Sequence, residues 1–456
     1  MRIRFLTGVF LAVLTGVTQA QKPVAPTPPM GWNSWDAYGL TITEEQFRAN
    51  VAVLANALKP YGWRYAVIDE GWFMVNPSDS PKPSTSGMLI DEYGRYIPAT
   101  GRFPSAAGNH GFEQLGKDVH AAGLKFGIHI VRGIPRMAVL ANTPVEGTSF
   151  HAVDVADQTD ACSWDPTNWG VKDTPAGQAY YDSLIRQFVG WGVDLLKVDC
   201  ISDHPYKVDE IRMLRRAIDK SGRAIVLSLS PGPTNLSHAA EVGELAQMWR
   251  MSDDIWDVWK SKAPWPNTIE SQFARTAAWA KYTKPGNWPD ADMLPLGELR
   301  PAAGWGKPRT SRLTPDEAKT QMTLWSMARS PLILGANLTM LDAFTTTLLV
   351  NRDLIRIDQR ATASREALHE GDLIAWTADL TGREKALALF NVGDTPMTLE
   401  VDFAKYGLGK QKYAARNVWE GSSQGRVSEL HAVVIAPHGC VLWMLRQGPG
   451  EDLLGE

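Results

Sequence analysis

Carboxylates recur at the ends of short apolar runs in this 456-residue chain. Asp69 and Glu70 close the run Tyr65-Ala66-Val67-Ile68, and Asp199 closes the run from Val193 to Val198. Asp253 and Asp254 follow Gln247 to Met251, and Asp290 and Asp292 follow Trp288. A single acid of this kind is easily a helix cap or a salt-bridge partner. Four clusters are harder to explain structurally, because like charges crowded together cost stability. Two chemistries use converging carboxylates. Divalent-metal binding asks for oxygen ligands on a tight loop, or for several His. His129 is the only His on an expected strand and no closely spaced acidic loop occurs, so metal chemistry is set aside and no cofactor is implied. The other is glycosidic-bond chemistry by two carboxyl groups, one ionised and one protonated. Trp32, Trp35, Trp72, Trp249 and Trp288 flank the acids. Their faces are expected to suit the apolar faces of a sugar ring.

The elements that must position these acids follow from hydrophobic patterning. Five of the six residues from Val193 to Val198 have apolar bodies or stems, which predicts a buried strand. An acid at its carboxyl end faces the mouth of an α/β fold. Thr43 to Leu58 has helical spacing of Phe47, Val51, Leu54 and Leu58. Ala176–Trp191, Val208–Ser221 and Ile269–Tyr282 also read as helices, and Thr314-Pro315-Asp316-Glu317 is a capping box with Pro at the first helical position. About eight strands alternate with helices from Met30 to about Ile357, which predicts a (β/α)8 TIM barrel. A doubly wound sheet is the alternative, but the glycine-rich phosphate loop it often carries after its first strand is missing. From about Ala363 the apolar runs become short and closely spaced, which predicts a C-terminal antiparallel β-sandwich. The expected organisation is a leader over 1–20, a catalytic barrel over 21–362 and a sandwich over 363–456. The sandwich is expected to be a packing partner, since no exposed aromatic row is evident in it.

Hydrophobic content of 44%, charged content of 21% and a net charge of −4 fit a soluble globular protein. They imply no surface for nucleic acid or for an anionic membrane. The chain opens with basic Arg2 and Arg4, an apolar stretch from Phe5 to Val17 and the small-residue site Thr18-Gln19-Ala20. That is the pattern of a cleaved signal peptide, and it predicts a secreted or periplasmic protein. Export permits disulfides, and the three cysteines allow at most one intramolecular bridge.

The strings MGWNSW, YAVIDEGW, GLKFGIHI, LLKVDC, MWRMSDDIW, GNWPDADML and TQMTLWSMARSPLILGANL occur in this order. Together with the GRFP block at 101–128 they resemble the α-galactosidases of glycoside hydrolase family 27, from about Pro28 to Gln359 and more loosely through the sandwich. The resemblance implies a retaining, double-displacement exo-glycosidase that removes terminal α-D-galactosyl residues from a carbohydrate substrate. It implies Asp199 as nucleophile and Asp254 as general acid/base, with carboxyls about 5–5.5 Å apart. Lys197 is expected to hold Asp199 ionised, and the charge of Asp199 to raise Asp254. Trp35, Asp69, Glu70, Lys197, Arg250 and Asp292 match sugar-contacting positions. Three departures bear on the sugar. The family has Asp-Asp where this chain has Asp69-Glu70, and that pair grips O4 and O6. The longer Glu70 intrudes on the hydroxymethyl group, which makes β-L-arabinopyranose, the same ring without that group, an alternative substrate. The family's strand-three Tyr is His129 here, and the residue that usually reads O2 is Ser230. The family cystine joins the third βα loop to a Cys just past the nucleophile. Cys200 follows Asp199 directly while Cys162 is displaced, which leaves a Cys162–Cys200 bridge as a candidate. Cys440 is expected to be a buried free thiol.

Overall fold

Eight short strands pair in parallel around one axis. They are β1 (Met30–Asn33), β2 (Tyr65–Ile68), β3 (Lys125–Val131), β4 (Val193–Asp199), β5 (Val226–Leu229), β6 (Met248–Arg250), β7 (Trp288–Asp290) and β8 (Leu332–Leu334). The structure, a computed structural model, describes residues 24–77, 87–300 and 307–448, so the expected leader lies outside the described residues. The strand order is β7-β6-β5-β4-β3-β2-β1-β8. Leu294, just past β7, closes the ring by bridging Leu334 of β8, and its N–H donates to the Ile333 carbonyl at 2.8 Å. Closure excludes the doubly wound sheet, which keeps two open edges.

Tyr65, Val67, Leu195, Val226, Met248, Trp288 and Ile333 fill the barrel interior, while the alternate residues Ala66, Ile68, Leu196 and Leu227 pack outward against the helices. Both faces of each strand are therefore apolar, and the strands read as continuous runs. Gly31 is required by close approach, since a Cβ there would lie 2.3 Å from the Tyr65 carbonyl oxygen.

The helices start where their caps predict. Thr43 caps Glu44–Val53 and Thr314 caps Pro315–Ala328, each with a complete capping box. The first helix ends earlier than its apolar spacing suggests, passing through a wider π turn at Leu54–Leu58 before Pro60. The expected Ile269–Tyr282 helix is α-helical only over Gln272–Trp279 and finishes in a 3₁₀ turn.

The last barrel helix, Arg352–Arg360, leads into the first sandwich strand at Thr362. A six-stranded antiparallel sheet runs Thr362–Glu370, Leu373–Leu380, Glu384–Asn391, Cys440–Arg446, Tyr413–Asn417, Ser423–Val427, and a two-stranded sheet pairs Met397–Asp402 with Glu429–Ile435. Ile374, Trp376, Ala388 and Phe390 join the barrel core, whereas Leu373, Ala375, Leu387 and Leu389 form a second core with Phe403 and Tyr413. Period-two alternation thus feeds two cores from one strand. The helix Pro315–Ala328 lies between barrel and sandwich and is buried nearly all round. Thr320 donates to the His438 carbonyl at 2.7 Å and Trp419 Nε1 donates to Thr323 at 3.1 Å, which fixes the sandwich on it. Cys440 is a free thiol against Thr323.

Candidate active site

All the acids singled out in the sequence stand at the carboxyl ends of barrel strands or one to four residues beyond them. Asp69, just past β2, receives the Lys197 ammonium at 2.8 Å and the Asn33 amide at 2.6 Å on one oxygen. Its other oxygen accepts the Glu70 N–H at 2.9 Å. Asp199, the last residue of β4, accepts the Cys200 N–H at 2.7 Å. His129 Nε2 stands 3.4 Å from its other oxygen.

Arg250, the last residue of β6, organises the opposite side. Its guanidinium lies 2.8 Å from Asp292 and 3.3 Å from Asp254. Asp292 also accepts the Ile255 N–H at 2.8 Å, its own N–H donates to Asp290 at 2.9 Å, and its carbonyl receives Trp325 Nε1 at 2.9 Å. These contacts hold Asp292 at φ +82°, a backbone conformation that non-glycine residues rarely adopt. Ser230, after β5, lines a cavity of about 30 Å³ with Asn33, Lys197, Arg250 and Asp292. That volume suits about one water.

Exposure sets Asp199 and Asp254 apart from Asp69 and Asp292, with Asp253 also partly exposed. The Asp254 side chain is 37% exposed and that of Asp199 21%, against 3% each for Asp69 and Asp292. Asp199 and Asp254 are thus open to solvent, while Asp69 and Asp292 pair with Lys197 and Arg250. Electrostatics separates them again. Burial pushes Asp199 up, but the His129 ring, Lys197 and the Cys200 N–H outweigh it and hold the carboxyl below its usual range. Asp69 is likewise held below its usual range, because Lys197 and His129 overcome its burial. Asp254 moves the other way, raised by burial and by the charges of Asp253 and Asp199 against Arg250. Asp292 is pushed up to about 7 by burial, then by Asp254 and Asp290, with Arg250 opposing.

Lys197 hydrogen-bonds Asp69 at 2.8 Å and lowers Asp199 through its charge, as expected. One expectation needs correction. Trp32, Trp72, Trp249 and Trp288 are fully buried and offer no face to a ligand. Their size fills the core, and the indole N–H groups of Trp32, Trp72 and Trp288 donate to carbonyls of Ala336, His129 and Ala25 at 2.8 Å each. Trp35 alone of the five stays half-buried.

Cys162 and Cys200 form a disulfide with Cα atoms 6.0 Å apart. It ties the β3–β4 loop to the residue after Asp199 and brings in an acid the sequence reading passed over. Asp165 is 1% exposed, and of the charges around Glu70 its own acts most strongly. Its one sequence signal is its place three residues after Cys162. Asn33 and Asp36 were also passed over. Asp36 is buried and raised well above the carboxylate range by burial, then by Asp292 and Asp254. Gly335 makes room for it, since a Cβ there would lie 1.9 Å from the Asp36 carboxyl.

The family model described as alpha galactosidase A matches residues 165–360, and the alpha galactosidase C-terminal beta sandwich domain matches 370–445. A β-L-arabinopyranosidase of glycoside hydrolase family 27 from Geobacillus stearothermophilus, solved with arabinose, is 41% identical with a TM-score of 0.88. That match covers 93% of this chain and 98% of the other. Alpha-galactosidase 2 of Arabidopsis thaliana is 26% identical over 97% of each chain. The alpha-N-acetylgalactosaminidase of Gallus gallus is 26% identical over 93% of this chain and 95% of its own. With the later part of its barrel and its sandwich each matched, and 41% identity to a family enzyme over nearly its whole length, this chain belongs to glycoside hydrolase family 27.

Proposed function

We propose that the enzyme is a retaining exo-glycosidase that removes terminal β-L-arabinopyranosyl residues. Asp199, ionised and open to solvent, attacks the anomeric carbon. Asp254, protonated, gives its proton to the departing glycosidic oxygen. The glycosyl-enzyme ester on Asp199 is then opened by water, whose proton returns to Asp254. Lys197 and Arg250 act through their carboxylate partners and orient Asp69 and Asp292 toward the sugar hydroxyls.

Glu70 carries the choice of sugar. It stands where the family's α-galactosidases have Asp, is 9% exposed, and keeps one oxygen without a hydrogen-bond donor among the described residues. The extra methylene advances its carboxyl into the space of a hexose hydroxymethyl group. A pentopyranose leaves that space open. The 41% identity to an arabinopyranosidase supports the same reading.

A second reading, hydrolysis of terminal α-D-galactosides (EC 3.2.1.22), is favoured by the curated relatives at 26% identity. Initial rates on p-nitrophenyl β-L-arabinopyranoside and p-nitrophenyl α-D-galactopyranoside at equal concentration decide between them. A faster arabinoside is the expected result, and a faster galactoside overturns the assignment. The proposal includes export through the leader at 1–20; a mature protein from the native host that retains Met1 by N-terminal sequencing would contradict it.

A further inference from the structure

Two buried carboxyls meet behind the proposed sugar site. Glu70 is 9% exposed and Asp165 is 1% exposed. One oxygen of each, Glu70 Oε1 and Asp165 Oδ2, has no hydrogen-bond donor among the described residues. Of the charges around Glu70, that of Asp165 acts on it most strongly. Two carboxylate oxygens are both acceptors, so such a pair can hydrogen-bond only by sharing a proton. The cations nearby are committed elsewhere: Lys197 to Asp69, and Arg132 to Asp160 and Glu210.

Asp165 is also held in place. Its other oxygen accepts the Thr167 N–H at 2.8 Å. The amide of Asn168 donates to the carbonyls of Val131 and Arg132, each at 3.0 Å, and Tyr96 donates to Asn168 at 2.9 Å. On the other flank the Cys162–Cys200 disulfide ties the loop to the end of β4. Asp165 cannot swing away to relieve like-charge repulsion, so a shared proton is the remaining way to neutralise the pair.

We infer that Asp165 is a positioning residue for sugar choice, which shares one proton with Glu70 and so fixes the Glu70 carboxyl across the hydroxymethyl position. This rests on Glu70 as the group that meets that position. The charged and titratable groups facing Glu70 are Asp165, Asp199 and Asp69, with the Tyr96 hydroxyl beyond them. Burial and then Asp165 raise Glu70 well above the glutamate range. Selectivity then has its own pH dependence. When the proton is lost at high pH, the two carboxylates repel and Glu70 gives way.

The test uses the full chain with its disulfide intact and the variants Asp165→Asn and Asp165→Ala. The ratio of kcat/KM for the aryl arabinoside over the aryl galactoside is measured from acid to alkaline pH. Taking a ratio cancels the titration of Asp199 and Asp254, which serve both substrates. The wild-type ratio is expected to fall on the alkaline side. Both variants are expected to lower the neutral-pH ratio about tenfold, the scale of one pocket methylene, and to remove its pH dependence. Ratios and pH profiles within about twofold of wild type overturn the inference, on the same scale. Difference infrared spectra at neutral pH give a readout free of turnover. Wild type minus Asp165→Asn should show a protonated carboxyl band, which Glu70→Gln also removes; its absence contradicts the shared proton. A wild type that prefers the galactoside sinks the specificity reading of Glu70, and the infrared band still decides the proton.

Discussion

The β2–β4 side of the rim sets Lys197 and His129 against Asp69 and Asp199, whereas the β6–β7 side sets chiefly Arg250 against Asp254, Asp290 and Asp292. Burial is the first influence on every one of these acids and pushes each upward. On the first side two bases facing two acids reverse it, and both carboxyls are held low. On the second, one guanidinium is shared among three carboxyls and all three stay high. The local ratio of base to acid thus sets the direction of each shift, and the proposed mechanism draws its nucleophile from the lowered side and its acid from the raised side. Glu70 is the exception on the first side, because Asp165 faces it with another carboxyl.

Removing the nucleophile breaks the comparison most severely. Asp199→Asn should lower kcat more than about 10⁴-fold while leaving the thermal unfolding profile near that of wild type. Substantial residual kcat would exclude Asp199 as nucleophile. Asp254→Asn should cost about 10²–10⁴-fold, with poor leaving groups suffering most because they need the proton. Equal losses on activated and unactivated glycosides would contradict the acid role.

The charge balance is tested by Lys197→Met. It leaves Asp69 buried with Asn33 as its remaining side-chain donor, and should cost about 3–5 kcal/mol in denaturant unfolding. The depressed native pKa of Asp69 contributes stability above its unfolded value near 4, which is lost as pH falls toward the lower native value. The variant should therefore lose part of the acid sensitivity seen in wild type. Asp292 has the opposite sign. Its contribution is full below about 4, its unfolded value, and declines as pH rises through about 7. Asp292→Asn should flatten that decline in melting temperature between acid and neutral pH; an unchanged slope would count against the raised pKa.

The smallest effect sharpens the exception. Glu70→Asp removes one methylene and should shift the arabinoside-to-galactoside ratio toward galactose by about 10- to 200-fold. A ratio that does not move would mean that another group reads the C5 position.

Much of this site was legible in the sequence because barrel strands are short and buried on both faces. Apolar runs that stop at Asp69, Asp199 and Arg250 announce both the strand and the rim it reaches. The proposed roles of nucleophile and acid came from the resemblance, since spacing does not distinguish them. What escaped depends on contacts between distant segments. Asp165 lies in a long loop, and the disulfide to Cys200 together with the Asn168 amide on the end of β3 places it beside the rim. Lys197 alternates to the same face as Asp199 by period two, yet its ammonium reaches past β3 to Asp69 at the end of β2. Composition could not say which Trp face solvent, since buried indoles need only one carbonyl each to be satisfied.

The division of the rim is tested most directly by trapping the glycosyl-enzyme. A slow fluorinated β-L-arabinopyranosyl donor is incubated with the enzyme, and the peptides are read by mass spectrometry. The account predicts one arabinopyranosyl label, on Asp199. A label on a β6–β7 acid, or turnover with inverted anomeric configuration and no label, would contradict it.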